Sequence, residues 1–123
     1  MSATAITPIE KNWNSLFTLA GATDFLEVNA STKEALIPAG PDSRLLLAFY
    51  NSDSSSAYDV TVKAGDGYMG AASGRVLTDL AAGSYALAVV ESSQYGQYSG
   101  ENRGNILVSA ESGSIKVAAF ILP

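Results

Sequence analysis

Catalysis requires a nucleophile, an acid or base, or a set of metal ligands at workable spacing. The residues that come nearest in this chain are a glycine run, a scatter of carboxylates and many serines. Gly65-Asp66-Gly67-Tyr68-Met69-Gly70 matches G-x-G-x-x-G and follows a strand-like segment. In a dinucleotide site that motif hands the pyrophosphate to the N-terminus of a following helix. The sequence after Gly70 does not supply the helix, because the stretch from Ala71 to Gly83 is broken by Gly74 and is too short for a crossover helix. A glycine-rich β-turn, with glycine supplying positive φ, is the simpler reading. No cofactor is expected.

Asp53, Asp59, Asp66, Asp79 and Glu91 are the carboxylates available for acid–base work or for calcium. Calcium loops place oxygen ligands at alternating positions, and Asn51-Ser52-Asp53 comes nearest, but serines follow where further carboxylates would be needed. These acids are therefore expected to be solvated turn residues, with no metal. The serines have no activating partner: the chain contains no histidine and no cysteine, and no Ser-x-x-Lys occurs. The absence of histidine also removes the commonest base near neutral pH. No catalytic residues can be assembled, so a non-enzymatic structural or binding protein is expected.

The aromatic residues are the remaining candidates. Tyr68, Tyr95 and Tyr98 lie in or beside glycine-rich loops, where tyrosine can stack on a sugar or anchor a protein contact. Gln94-Tyr95-Gly96-Gln97-Tyr98-Ser99-Gly100 has the composition of a carbohydrate-contact loop. The competing expectation is that one tyrosine caps the domain and the other packs on an edge strand. Trp13, beside Leu16 and Phe17, is expected to anchor the N-terminal residues to the body or to a neighbour.

The elements that must position these groups are strands. Tyr58, Val60, Val62 and Ala64 alternate with Asp59, Thr61 and Lys63, and the same period of two recurs at Ile106 and Val108 and at Ile115, Val117 and Ala119. Residues 44–50 and 85–90 are continuous apolar runs, as in central strands covered on both faces. Turn residues punctuate the chain at 39–42, 51–56, 65–67, 82–83, 100–104 and 111–113. Residues 106–110 and 115–121 are expected to form a hairpin, and residues 52–56 its flexible counterpart at another tip. The pattern predicts eight or nine strands in a single antiparallel β-sandwich or small barrel covering residues 15–123.

With 123 residues, 47% hydrophobic and 15% charged, the chain carries enough apolar surface for one core. Residues 1–14 are polar and interrupted by Pro8, and are expected to form an extended arm that a partner or neighbouring subunit orders. Ile6, Pro8, Ile9 and Trp13 are its candidate partner-binding residues, alongside Tyr68, Tyr95 and Tyr98. Twelve acidic against seven dispersed basic residues, a net charge of −5, disfavour nucleic acid. No stretch has the features of a signal peptide or a membrane span, so neither export nor membrane insertion is expected, and Asn29-Ala30-Ser31 is read as a chance glycosylation pattern.

Val60-Thr-Val-Lys-Ala-Gly-Asp-Gly67, Leu80-Ala-Ala-Gly83, Val89-Val-Glu-Ser92, Gly100-Glu-Asn-Arg-Gly104 and Val117-Ala-Ala-Phe-Ile-Leu-Pro123 together resemble small β-domain capsid decoration, or head stabilisation, proteins of tailed bacteriophages. The similarity covers residues 44–123 and not the arm. The resemblance implies a virion protein made in the host cytoplasm that binds the major capsid protein of an assembled shell, as a monomer or as a homo-oligomer such as a trimer. It carries no catalytic residues. The alternative is a carbohydrate-binding or adhesion module using Tyr95 and Tyr98.

Overall fold

The computed structural model describes residues 3–21, 23–40, 43–68 and 70–123. Its strands are β1 (Thr4–Ala5), β2 (Ile9–Glu10), β3 (Leu26–Glu27), β4 (Glu34–Pro38), β5 (Leu45–Asn51), β6 (Tyr58–Val62), β7 (Arg75–Leu80), β8 (Tyr85–Ala88), β9 (Asn105–Ala110) and β10 (Ile115–Ile121). One helical turn, α1 (Ser92–Tyr95), lies between β8 and β9. One sheet has the order β1-β4-β9-β6-β7; the other has the order β2-β10-β5-β8, with β3 also on β10. The expected all-β sandwich is thus present. Apart from the two short parallel pairs made by β1 and β2, the described ladders are antiparallel.

The period-two pattern explains the core. Ala35 and Ile37 of β4, Val60 and Val62 of β6, and Ile106 and Val108 of β9 face Leu45, Leu47 and Phe49 of β5 and Ile115, Val117 and Ala119 of β10. The opposite faces of β5 and β10 are covered as well: Phe25, Ala48, Ala118 and Phe120 form a second buried cluster, with Ile9, Leu19, Leu46 and Tyr50 packed against it. The cover is the strap formed by residues 11–21 and 23–25. Phe17 lies 5.6 Å from Phe120, Lys11 Nζ sits 4.4 Å from the Phe17 ring, and Phe25 meets the stacked pair Tyr50 and Tyr85. The run at 44–50 is therefore central and covered on both faces, as its composition predicts.

Three expectations need correction. The segments 106–110 and 115–121 are not a hairpin: β9 pairs with β4 and β6, β10 pairs with β5, β2 and β3, and residues 111–114 carry the chain from one sheet to the other. Each strand points an apolar face at the core, so the two meet face to face across it. The run at 85–90 is not central either. β8 is the last strand of its sheet, and its alternating exposure leaves Leu87 and Val89 in solvent while Ala86 and Ala88 pack inward. Finally, the N-terminal segment is extended but is ordered by its own domain. β1 pairs with β4, β2 pairs with β10, and Ile6 between them is buried in the core. Met1, Ser2 and the Pro41-Asp42 part of the turn expected at 39–42 lie outside the described residues.

One buried polar side chain fastens the two sheets. Asn51 ends β5 with no exposed surface. Its Nδ2 donates to Ser56 O at 2.8 Å and to Leu80 O at 2.9 Å, and its Oδ1 accepts from the Asp53 N–H at 2.9 Å. Asp53 in turn accepts from the N–H groups of Ser55 and Ser56, which holds its carboxyl below the usual 3.8. The serine segment expected at a hairpin tip instead connects the two sheets, with Asp53 bonded to backbone N–H groups inside it. Asn51→Ala removes both donors and strands Leu80 O in a buried site, which should cost about 3 kcal/mol. Urea unfolding should show this loss as a lower midpoint with an unchanged slope.

Candidate functional site

Two loops meet beyond the ends of β6 and β9: residues 63–74, which lead into β7, and residues 91–104, which contain α1. The carbonyl of Gln94 accepts from the N–H groups of Gly65 (2.8 Å) and Ala71 (3.0 Å), and Gln97 Nε2 donates to Ala64 O at 3.1 Å. Asp66 completes the join, with one oxygen accepting from the Tyr98 N–H at 2.5 Å and the other from the Ser99 hydroxyl at 2.6 Å. These bonds, the Ser99 hydroxyl first, hold the Asp66 carboxyl below its usual 3.8.

The glycines of the 65–70 run are explained by close approach. The turn expected from sequence is present, with the Gly70 N–H donating to Gly67 O at 3.0 Å, but Gly65 and Gly67 do not take the expected positive φ. A Cβ at Gly65 would lie 2.5 Å from Gly96 O, one at Gly70 would overlap Gly65 O, and one at Gly67 would overlap the Tyr98 ring. The run therefore packs two loops against each other. Met69 lies outside the described residues.

The structure separates the three tyrosines. Tyr95 packs on the core from α1, so it caps the sandwich rather than offering a platform. Tyr68 is fully exposed and Tyr98 is 52% exposed, and together with Gly67 and Ser93 they line a shallow hollow of about 290 Å³. Tyr98 is fixed by its ring contact with Gly67 and by its hydroxyl, which donates to Ser92 O at 3.3 Å. The Ser93 hydroxyl donates to the Glu91 carboxylate at the rim.

The N-terminal candidates divide as well. Ile6 belongs to the core, and Ile9 packs on the Phe120 cluster beside a half-buried Pro8, so these three side chains serve the domain itself. Trp13 and Leu16 point outward from the strap, 77% and fully exposed, while Phe17 anchors it. Among the described residues no three His, Cys, Asp or Glu side chains come together as a metal set. Asp53, Asp59 and Asp66 use carboxylate oxygens on backbone N–H groups.

A third exposed region was missed by sequence reasoning. At the side of the sandwich away from β1 and β2, the free edges of β7 and β8 bound a groove of about 320 Å³ whose floor includes Phe49, Val60 and Val62. Leu87 and Val89, 57% and 69% exposed, stand on the β8 rim. The signal was the uncharged run itself, which fits an unprotected edge as well as a buried strand.

The chain matches no protein-family model, no curated protein and no solved structure.

Because the folded Asp66 carboxyl titrates below its ordinary value, its tether contributes fully above pH 3.8 and is lost as pH falls through the lowered value. The Tyr98 amide resonance should therefore titrate with a midpoint below 3.8. Asp66→Asn should abolish that titration, and a midpoint at or above the ordinary value would refute the tether.

Proposed function

We propose that this chain is a non-enzymatic virion structural protein that binds the outside of an assembled phage capsid and stabilises it, with the major capsid protein as its partner. The reading rests on the turn and strand signatures at 60–67, 80–83, 89–92, 100–104 and 117–123, and one structural observation carries it further. Trp13 and Leu16 stand exposed on the strap, which Phe17 on Phe120 and Lys11 over both rings hold to the domain. Large exposed side chains on a preordered segment suit docking, because little entropy is lost when they are covered. Repeated over a shell, modest contacts of this kind reinforce a lattice.

Removing residues 1–13 would delete β1, β2 and Ile6 of the core, so the test uses Trp13→Ser/Leu16→Ser in the full chain. Wild-type protein should co-sediment saturably, at a fixed ratio to capsid subunits, with capsids that lack it. The double variant, with an unchanged melting curve, should bind about tenfold more weakly or worse. Equal binding to unassembled capsid subunits would count against the reading.

The hollow between Tyr68 and Tyr98 favours a second reading, a carbohydrate-binding module in which those two rings, rather than Tyr95 and Tyr98, form the stacking platform. A glycan screen should then give hits that Tyr68→Ala/Tyr98→Ala loses. A blank screen would remove this reading.

A further inference from the structure

The two sides of the sandwich are finished differently. On one side the N-terminal segment runs along both sheets, β1 on β4 and β2 on β10, and closes the gap between them with Ile6. On the other side, among the described residues, β7 and β8 each lack an outer partner. Soluble proteins guard such edges with charges, bulges or cover, since an open edge pairs with other chains. β7 is guarded. Thr78 and Asp79 together oppose the single Asp59, the Asp79 N–H is held by the Asp59 carboxylate at 2.8 Å with Asp79 at φ 53°, and Arg75 begins the strand.

β8 has no such guard. Residues 85–90, Tyr-Ala-Leu-Ala-Val-Val, contain no charge, proline or glycine, and Leu87 and Val89 stand exposed beside the open edge. The ladder also fixes which backbone groups are free. The Asn51 N–H donates to Ser84 O, so Ser84 turns its C=O to β5. By the alternation of an antiparallel pair, Ala86 and Ala88 do the same opposite Phe49 and Leu47. Tyr85 and Leu87 turn their N–H and C=O groups outward, and Val89, the first residue past β8, would do the same once a paired neighbour extends the strand by one residue.

We propose that β8 is a self-pairing edge: two copies of the chain join residues 85–89 antiparallel about a two-fold axis, with Leu87 opposite Leu87. This register satisfies three requirements together. The outward-facing residues meet as hydrogen-bonding pairs, Leu87 with Leu87 and Tyr85 with Val89. Side chains of one sheet face meet those of the same face, as antiparallel neighbours must. In a chain of net charge −5, no acid is set against an acid, because Glu91 falls opposite Gly83. The seam covers Leu87 and Val89 and turns the two apolar grooves toward each other. A second copy of this chain is the occupant that the parity and the charge pattern both fit.

Sedimentation velocity on the full chain over a wide concentration range tests this without capsids, so the result is separable from the capsid reading. Wild-type protein should show a reversible monomer–dimer equilibrium. Leu87→Lys and Leu87→Glu, at a half-exposed position that leaves the fold intact, should each weaken the dimer about tenfold or more by placing like charges opposite one another. An equimolar mixture of the two variants should restore it as a heterodimer. A wild-type chain that stays monomeric throughout, a dimer indifferent to Leu87→Lys, or a mixture that fails to associate would each overturn the proposal.

Discussion

The carboxamide of Asn51 is the constraint on which the sandwich depends. It sits where β5 leaves its sheet, and it reaches Leu80 at the end of β7 in the other sheet. The backbone of the same residue accepts from Gly83 and donates to Ser84. One residue thereby fixes two of the crossings between the sheets, residues 52–57 and residues 81–84. A buried amide with three satisfied bonds tolerates only one arrangement of its partners, whereas the surrounding apolar contacts are non-directional. The core supplies the attraction between the sheets, and Asn51 sets their relative position. The placement of the free edges of β7 and β8 follows from that position.

Much of this was legible in the sequence because alternation reports burial directly. Val60 and Val62, Ile106 and Val108, and Ile115, Val117 and Ala119 all face the core as their spacing predicts. Alternation does not report pairing partners. The 106–110 and 115–121 segments have the pattern of a hairpin, yet a four-residue connection serves equally well to cross between sheets. Composition failed at β8 for a related reason: an uncharged run is read as buried, and nothing local distinguishes a strand at the centre of a sheet from one at its margin.

The candidate site was legible in its residue types but not in its grouping. The loops carrying Tyr68 and Tyr98 are 30 residues apart in sequence, and they are joined through Asp66, whose partners no short motif reveals. The glycine run owes its composition to close approach rather than to backbone handedness. Its glycines exist so that Gln94, Gly96 and Tyr98 can lie against it. Trp13 was singled out, beside Leu16 and Phe17, as an anchor to the body or to a neighbour. Its exposure is explained by the opposite face of the strap, which is consumed in covering Phe120 and Tyr50.

The parallel pairing of β2 with β10 bears on how the chain reaches this state. Ile9 and Glu10 find their partners at Phe120 and Ile121, more than a hundred residues later in synthesis. Neither β10 nor the strap that rests on it can settle until almost the whole described chain has left the ribosome, and β5 waits for the same partner. The domain must therefore hold one edge of β5, whose other edge meets β8, open until β10 has been made. Folding dominated by such distant pairings is slow, and exposed strands in that interval invite association with other nascent chains. The arrangement that makes the finished sandwich self-contained is also the one that delays its completion.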